Sequence, residues 1–210
     1  MTGGYLRTFT SALPSCLTWR ARGLRWIRSH TQDLVIFANS RGYRLTDTHG
    51  DRITRAGRER EWRHAIARTL RAMPSRPRLL VLGDVPVPKV NVPACLAAHP
   101  GSIAACVRSR RSSTRNDFDD AERAAATANG ATFASLARVV CSYDPCPVVV
   151  DRLLLWRDGS HLTATYARQL APSLRAIVAA ALASGVASDK KPASDRKPAP
   201  DRKPAPDRSR

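Results

Sequence analysis

An aspartate and a histidine three residues apart, Asp158 and His161, are the side chains of this chain best placed to do chemistry together. They lie between an apolar run and a long amphipathic segment. An imidazole can take a proton from a hydroxyl, and a neighbouring carboxylate can hold that imidazole in the required tautomer. The spacing therefore predicts the base and the acid of an acyl-transfer triad. The structural alternative is that Asp158 caps the following helix and His161 occupies its first turn.

A third polar side chain, Asn39, directly follows the apolar residues 34–38, which we predict to form a buried strand. Ligands of α/β folds bind at the carboxyl ends of sheet strands, and an asparagine there can donate to a developing oxyanion. We therefore predict that Asn39 is an oxyanion donor; the alternative is a loop asparagine that ends the strand. No histidine pair has metal-ligand spacing, so we predict neither a metal nor a cofactor.

The elements that must position these side chains alternate along the chain. Apolar residues at helical spacing predict helices over residues 16–31, 57–73, 118–129 (capped by Asn116 or Asp117) and 160–182, the last interrupted at Pro172. Apolar runs predict strands over 33–39, 79–83 and 131–140 and a short hairpin arm within 148–156, with loops over 40–56 and from 84 to about 115. This alternation predicts an α/β layered fold with a parallel sheet.

The chain divides into three parts. Residues 185–210 repeat a short pattern of Asp, Lys or Arg, Pro and Ala, which cannot bury enough apolar surface to order itself, so we predict a disordered tail. Residues 16–184 have the size of one domain, preceded by a poorly defined segment over residues 1–15. Because the predicted elements of this α/β domain open on a helix, we expect its first strand to be missing and a sheet edge to lie uncovered.

Four of the five cysteines form two local pairs, Cys95 with Cys106 and Cys141 with Cys146. Both pairs fall in loop-like sequence with prolines nearby, which suits disulfides and an oxidising compartment. Unpaired thiols are the alternative, and neither spacing fits zinc. Cys16 is left over, which predicts a partner elsewhere.

The formal net charge of +18 is compatible with a nucleic-acid partner. Nearly all of the excess is arginine scattered along the chain, and no zinc-finger, helix-turn-helix or aromatic RNA-binding motif accompanies it. We therefore expect no nucleic-acid partner. The sequence also contains no apolar run long enough to cross a membrane and no recognisable signal peptide.

Six short motifs occur in an order that resembles a known family. They are Cys16-x-x-Trp19-Arg20, Asp33-Leu34-Val35, Ser40-Arg41-Gly42-Tyr43, Val81-Leu82-Gly83-Asp84-Val85-Pro86, Val92-Pro93-x-Cys95-Leu96 and Asp158-x-x-His161-Leu162-Thr163. Together they are similar to the SGNH-type hydrolase domain attached to bacterial membrane acyltransferases of the acyltransferase-3 family. The resemblance covers roughly residues 16–182.

The resemblance implies a flavodoxin-like, three-layer α/β/α sandwich with a parallel sheet, outside the cytoplasmic membrane. It implies O-acylation or deacylation of cell-envelope sugars, with His161 as general base, Asp158 orienting it and Asn39 as oxyanion donor. The implied partners are an acylated sugar or polysaccharide and a transmembrane acyltransferase domain.

The chain departs from this family at the nucleophile. The family carries its serine in a Gly-Asp-Ser block after the first strand, whereas Gly83-Asp84 is followed here by Val85. We therefore expect an N-terminally shortened domain with impaired acyl transfer. The alternatives are a non-catalytic envelope accessory or glycan-binding protein and, less favoured, a basic nucleic-acid-binding protein.

Overall fold

A computed structural model describes residues 5–6, 13–40, 42, 45–46, 51–114 and 116–184. The predicted tail over residues 185–210 lies outside the described residues. The helices are α1 (Leu13–Ser29), α2 (Arg55–Arg71), α3 (Val92–Ala98), α4 (Arg110–Ser113), α5 (Asn116–Ala128), α6 (Ala137–Val140), α7 (Ala164–Gln169) and α8 (Ala171–Ala183), with a 3₁₀ turn at Ile103–Ala105. The strands are β1 (Tyr5–Leu6), β2 (Leu34–Ala38), β3 (Leu45–Thr46), β4 (Arg78–Gly83), β5 (Thr132–Ser135), β6 (Val149–Val150) and β7 (Leu153–Leu154).

Three strands form a parallel sheet in the order β2-β4-β5. In its register Phe37 pairs with Val81, and Val81 pairs with Phe133. The remaining strands form two antiparallel pairs, β1 with β3 and the hairpin β6 with β7. The chain therefore does not open on a helix as we expected, because β1 precedes α1 and pairs with a strand inside the predicted loop over residues 40–56.

Helices cover both faces of the parallel sheet. Successive strand residues point to opposite faces, so Phe37, Val81 and Phe133 share one face, and they pack there against α2 and α5. Leu80 and Thr132 point to the other face, where α8 contacts β4 and the Thr132 hydroxyl lies 3.1 Å from that of Ser184. The prediction of a three-layer α/β/α sandwich with a parallel sheet is confirmed.

Two hydrophobic cores support this arrangement. The first core lies between the sheet and helices α2 and α5, where the Trp62 and Phe118 rings meet edge to face with centroids 4.8 Å apart. Alanines at 121, 125 and 126 are buried on α5 and let the two helices approach closely. The second core joins the segment after β4 to the hairpin and α7, and its buried residues are Val92, Cys106, Val140, Val148, Leu155, Trp156, Tyr166 and Leu170.

The outer edge of β2 has no strand partner among the described residues. Ile36 points to the same face as Leu80, yet its residue is 46% exposed whereas Leu80 is 1% exposed. The helix layer on that face therefore covers β4 and leaves β2 open. Within the described ranges of the chain, no strand covers this edge of the sheet.

The segment from residue 84 to about 115 is not irregular throughout, which corrects the prediction. It contains α3 and α4 and the 3₁₀ turn. The Asn91 side chain accepts from the Ala94 N–H at 3.1 Å, and Pro93 lies in the first turn of α3, where its missing N–H is not needed. Pro93 therefore belongs to the start of a helix and does not mark an irregular segment.

Two helix boundaries also differ from the prediction. Asn116 is the first residue of α5 and not the residue before it. The predicted last helix is divided at Leu170, which ends α7 and precedes α8, with Pro172 in the first turn of α8. No helix of the described ranges is both long enough and apolar enough to cross a membrane.

Candidate active site

A tight turn presents Asp158 and His161 to solvent. Trp156 and Leu162 form an antiparallel bridge across its base, and the Arg157 N–H donates to the His161 carbonyl at 2.8 Å. Leu155 and Trp156, at 0% and 2% exposure, anchor the turn in the second core. The turn is therefore held at its base while its two chemical side chains remain accessible.

The Asp158 carboxylate is fixed by backbone donors. Its Oδ1 accepts from the N–H groups of Ser160 and His161, each at 2.8 Å. These two bonds, and then the bond to the His161 ring, hold the pKa of Asp158 well below its ordinary value of 3.8. Arg157 Nε also lies 3.7 Å from Oδ2. The carboxylate is charged wherever an acyl-transfer reaction would run.

The His161 ring is oriented by this carboxylate. Its Nδ1 lies 2.8 Å from Oδ2 and 3.1 Å from Oδ1 of Asp158. Because a carboxylate only accepts, Nδ1 carries the proton and the lone pair of the neutral ring is on Nε2. Ser160 Oγ lies 3.3 Å from Nδ1, on the carboxylate side of the ring, so it cannot serve as a nucleophile for Nε2.

The capping alternative for Asp158 is wrong. Helix α7 begins at Ala164, and its cap is Thr163, whose Oγ1 accepts from the Tyr166 N–H at 3.2 Å. The same hydroxyl donates to the Leu154 carbonyl at 2.6 Å, which ties the helix start to the hairpin. Asp158 is five residues before this cap, and among the described residues it bonds within its own turn, to Ser160 and His161.

Asn39 lies directly after β2, at the carboxyl end of that strand. Its Nδ2 donates to Glu122 Oε1 at 3.4 Å, and the same oxygen accepts from Trp62 Nε1 at 3.1 Å. Glu122 is wholly buried on α5, so this network ties Asn39 to the first core. The structure brings Asp158 and His161 together, and it bonds Asn39 to Glu122 and not to either of them.

Sequence reasoning missed Glu122. The residue is 83 positions from Asn39, and a lone glutamate on an amphipathic helix is ordinarily assigned to the solvent side. The available signal is its spacing from Phe118, four residues earlier, which places both on the buried face of the predicted helix.

The turn that carries the dyad, Asp158 and His161, packs against the segment that leaves the sheet. A Cβ added at Gly159 would lie 3.4 Å from the Val90 carbonyl oxygen, so the two backbones are in close approach there. Val90 belongs to the segment that follows the carboxyl end of β4, and Asp84 begins that segment with its carboxylate accepting from the Val85 N–H. The segment that contacts the dyad turn thus follows β4, which pairs with β2, and Asn39 follows β2.

Both predicted cysteine pairs are disulfide-bonded, Cys95 to Cys106 and Cys141 to Cys146. Cys16 is exposed on α1 and is a free thiol in the part of the chain that the structure describes. Within that same part, no three His, Cys, Asp or Glu side chains converge into a group that could hold a metal ion.

A parallel sheet between helices, with a carboxylate–imidazole pair beside it, is an arrangement that α/β acyl-transfer and hydrolytic domains use. The chain belongs to the family described as the SGNH domain (fused to AT3 domains), whose family model matches residues 2–176. The family resemblance stated from the sequence is confirmed.

No curated protein matches the sequence. A solved structure, the periplasmic domain of a lipopolysaccharide acetyltransferase of Salmonella ser. Paratyphi A, is similar over 70% of this chain, with 16% identity and a TM-score of 0.49. The chain covers 57% of that structure's length. A likeness at this level carries no argument about function.

Proposed function

We propose that this chain is the extracytoplasmic part of an O-acyltransferase or esterase that acts on cell-envelope sugars, with His161 as its general base. The observation that carries the proposal is the 2.8 Å bond from His161 Nδ1 to an Asp158 carboxylate that two backbone N–H groups hold in place. Membership of the SGNH family that is fused to AT3 domains supports an acyltransferase-type role. The two disulfides support an oxidising compartment outside the cytoplasm.

In the proposed reaction a serine hydroxyl attacks the acyl carbonyl while His161 Nε2 takes its proton. Asp158 stabilises the imidazolium that forms. The imidazolium then returns the proton to the departing sugar oxygen, which leaves an acyl-serine that a second hydroxyl or water attacks in the same way. Asn39 has two amide N–H groups, one of which is bonded to Glu122, so the other can donate to the oxyanion.

The proposed reaction needs a serine nucleophile, and no serine of the described residues can be assigned to that role. The sequence contains no Gly-Asp-Ser, and among the described residues no hydroxyl is hydrogen-bonded to His161 Nε2. We therefore expect the chain alone to show no His161-dependent turnover, and to become active when a strand that ends in Gly-Asp-Ser is supplied before residue 1. The uncovered edge of β2 is where such a strand could pair.

A chromogenic acetyl ester tests this proposal in two arms, the chain as it stands and the chain with that N-terminal extension. We expect turnover only in the extended chain, reduced about 10²- to 10⁴-fold by His161→Ala and comparably by Asp158→Asn. His99→Ala is the matched control, since His99 is an exposed histidine far along the chain from the turn. Turnover by the unextended chain that His161→Ala abolishes would mean that this chain already contains a nucleophile for His161. Turnover by the extended chain that His161→Ala leaves unchanged would remove the dyad from the mechanism.

A second candidate function is a non-catalytic glycan-binding protein of the envelope. The observation that favours it is an oriented His161 without a hydroxyl partner at Nε2 in the described part of the chain. Glycan binding by the extended chain without any His161-dependent turnover would select this function over acyl transfer.

A further inference from the structure

A large, open cleft of about 1370 Å³ lies on the side of the sheet where its strands end. Ser135, the last residue of β5, contributes to its floor, and its hydroxyl donates to the buried carboxylate of Asp119 at 3.1 Å. The rest of the described lining comes from Gly42, β3, Arg52, the start of α2, Lys89, α4 and the residue after it, α5, α6 and Asp144.

The lining of this cleft is strongly cationic. Eight arginine or lysine side chains and three aspartates contribute to it, an excess of five positive charges. A cleft lined mainly by one sign of charge focuses the field and concentrates ligands of the opposite sign. These residues come from positions 52 to 144, so the concentration of charge exists only in the folded chain.

One wall of the cleft is held by a disulfide loop. The Arg110 N–H donates to Asp144 Oδ1 at 2.9 Å, and Arg110 Nε donates to the Cys141 carbonyl at 3.2 Å. The Cys146 N–H in turn donates to the Arg108 carbonyl at 2.8 Å. The Cys141–Cys146 loop therefore fixes both the backbone and the guanidinium of Arg110, which lowers the ordering cost of binding an anion there.

One residue of the cleft lining is adjacent in sequence to the backbone that approaches the dyad turn. Lys89 lines the cleft, and the next residue, Val90, has the carbonyl oxygen that would lie 3.4 Å from a Cβ added at Gly159, in the turn that carries Asp158 and His161. A long ligand in the cleft could thus extend to the His161 side of the molecule.

We infer that this cleft binds an anionic saccharide, one that bears several carboxylate or phosphate groups, and that this is the acceptor or donor of the acyl group. The role of the saccharide as acceptor or donor rests on the proposed function, and its negative charge is inferred from the cationic lining of the cleft. Guanidinium groups recognise carboxylate and phosphate with paired hydrogen bonds. Hydroxyls of Ser112 and Ser135 and the carboxylates of Asp120 and Asp144 supply partners for sugar hydroxyls.

The lining favours a saccharide over a nucleic acid. Sites for single-stranded nucleic acid combine positive charge with aromatic side chains on which bases stack. No aromatic side chain lines the described part of this cleft.

Calorimetric titration of the full chain tests the inference. The ligands are a galacturonate oligosaccharide, a glycerol-phosphate oligomer, a neutral malto-oligosaccharide of the same length and a single-stranded oligonucleotide of equal charge. The first two distinguish carboxylate from phosphate as the recognised group. The cleft variant combines Arg52→Gln, Arg111→Gln and Arg138→Gln; the control combines Arg22→Gln, Arg63→Gln and Arg168→Gln, which removes the same charge from exposed positions outside the lining.

We expect at least one anionic saccharide to bind, and to bind more weakly as salt is raised. The cleft variant should weaken this binding about tenfold, since each exposed charge pair contributes roughly twofold, and the control should stay within about twofold of the wild type. Equal losses in the two variants, equal binding of the neutral oligosaccharide, or no saccharide binding would overturn the inference. Tighter binding of the oligonucleotide would assign the cleft to nucleic acid instead.

Binding and turnover separate the two proposals. Acyl transfer by the extended chain to neutral and anionic saccharides alike would refute the anionic ligand and leave the proposed function. Cleft-dependent binding without any acyl transfer would refute the proposed function and leave the ligand class.

Discussion

Replacing Cys141 and Cys146 with alanine tests whether the disulfide between them supports the cationic cleft as well as the fold. A disulfide stabilises mainly by restricting the unfolded chain, and its contribution grows with the loop it closes. Five positions separate this pair, which gives about 2 kcal/mol. The matched control replaces Cys95 and Cys106, eleven positions apart, which gives about 3 kcal/mol. Each pair contains one wholly buried cysteine, so the loss of packing is similar.

The two double variants should rank in opposite orders in two assays. In urea unfolding the midpoint should fall by about 1 M for either pair, and further for the Cys95 and Cys106 variant. In titration with the anionic saccharide that binds the wild type, the Cys141 and Cys146 variant should lose more affinity, because only its loop holds Arg110.

The opposite ranking would refute this reasoning. If the Cys95 and Cys106 variant loses as much affinity, the wall formed by Arg110 does not determine binding. If the Cys141 and Cys146 variant unfolds at the wild-type urea concentration, the disulfide does not restrict the unfolded chain enough to stabilise the fold.

Two further predictions concern single residues. The Asp158 carboxyl should titrate well below pH 3.8 in carboxyl-detected NMR. Because the pKa of Asp158 is lower in the folded chain, its contribution to stability is complete above pH 3.8 and is lost as the pH falls through the folded pKa. Wild type and Asp158→Asn should therefore converge in stability only in strong acid, and a constant difference across that range would contradict the assignment. Gly130→Ala should destabilise the fold by about 1 kcal/mol because Gly130 has φ +67°. Gly23→Ala within α1, where the added Cβ also meets no neighbour, should stabilise the fold by about 0.5–1 kcal/mol. Chemical unfolding of both variants measures the two changes in free energy, and changes of the same sign would exclude backbone conformation as the cause.

Local patterns were sufficient to predict most of the parallel sheet and its helices. The run over residues 79–83 is apolar without alternation because helices pack on both faces of β4. The helix over Arg55–Arg71 follows a residue, Thr54, whose side chain accepts from the Gly57 N–H. The spacing of Asp158 and His161 predicted their contact because the turn itself brings a carboxylate back to the ring three residues on.

Features that depend on distant residues were not predictable in this way. The bond between Asn39 and Glu122 and the convergence of arginines in the cleft are set by packing of elements tens of residues apart. The helix α3 was not predicted for a different reason. Prolines favour irregular structure in a sequence pattern, but Asn91, two residues before Pro93, is the signal of a capped helix start.

The two candidate halves of the site are attached to different cores, Asn39 to the first through Glu122 and the turn of residues 158–161 to the second through Leu155 and Trp156. Proteins open in local cooperative units, and such units commonly coincide with separate clusters of packed side chains. We therefore expect excursions in which the second core loosens and carries the imidazole away while the parallel sheet keeps its amide protons protected. The fraction of time that both cores are closed would set a ceiling on the rate of any reaction that needs both side chains.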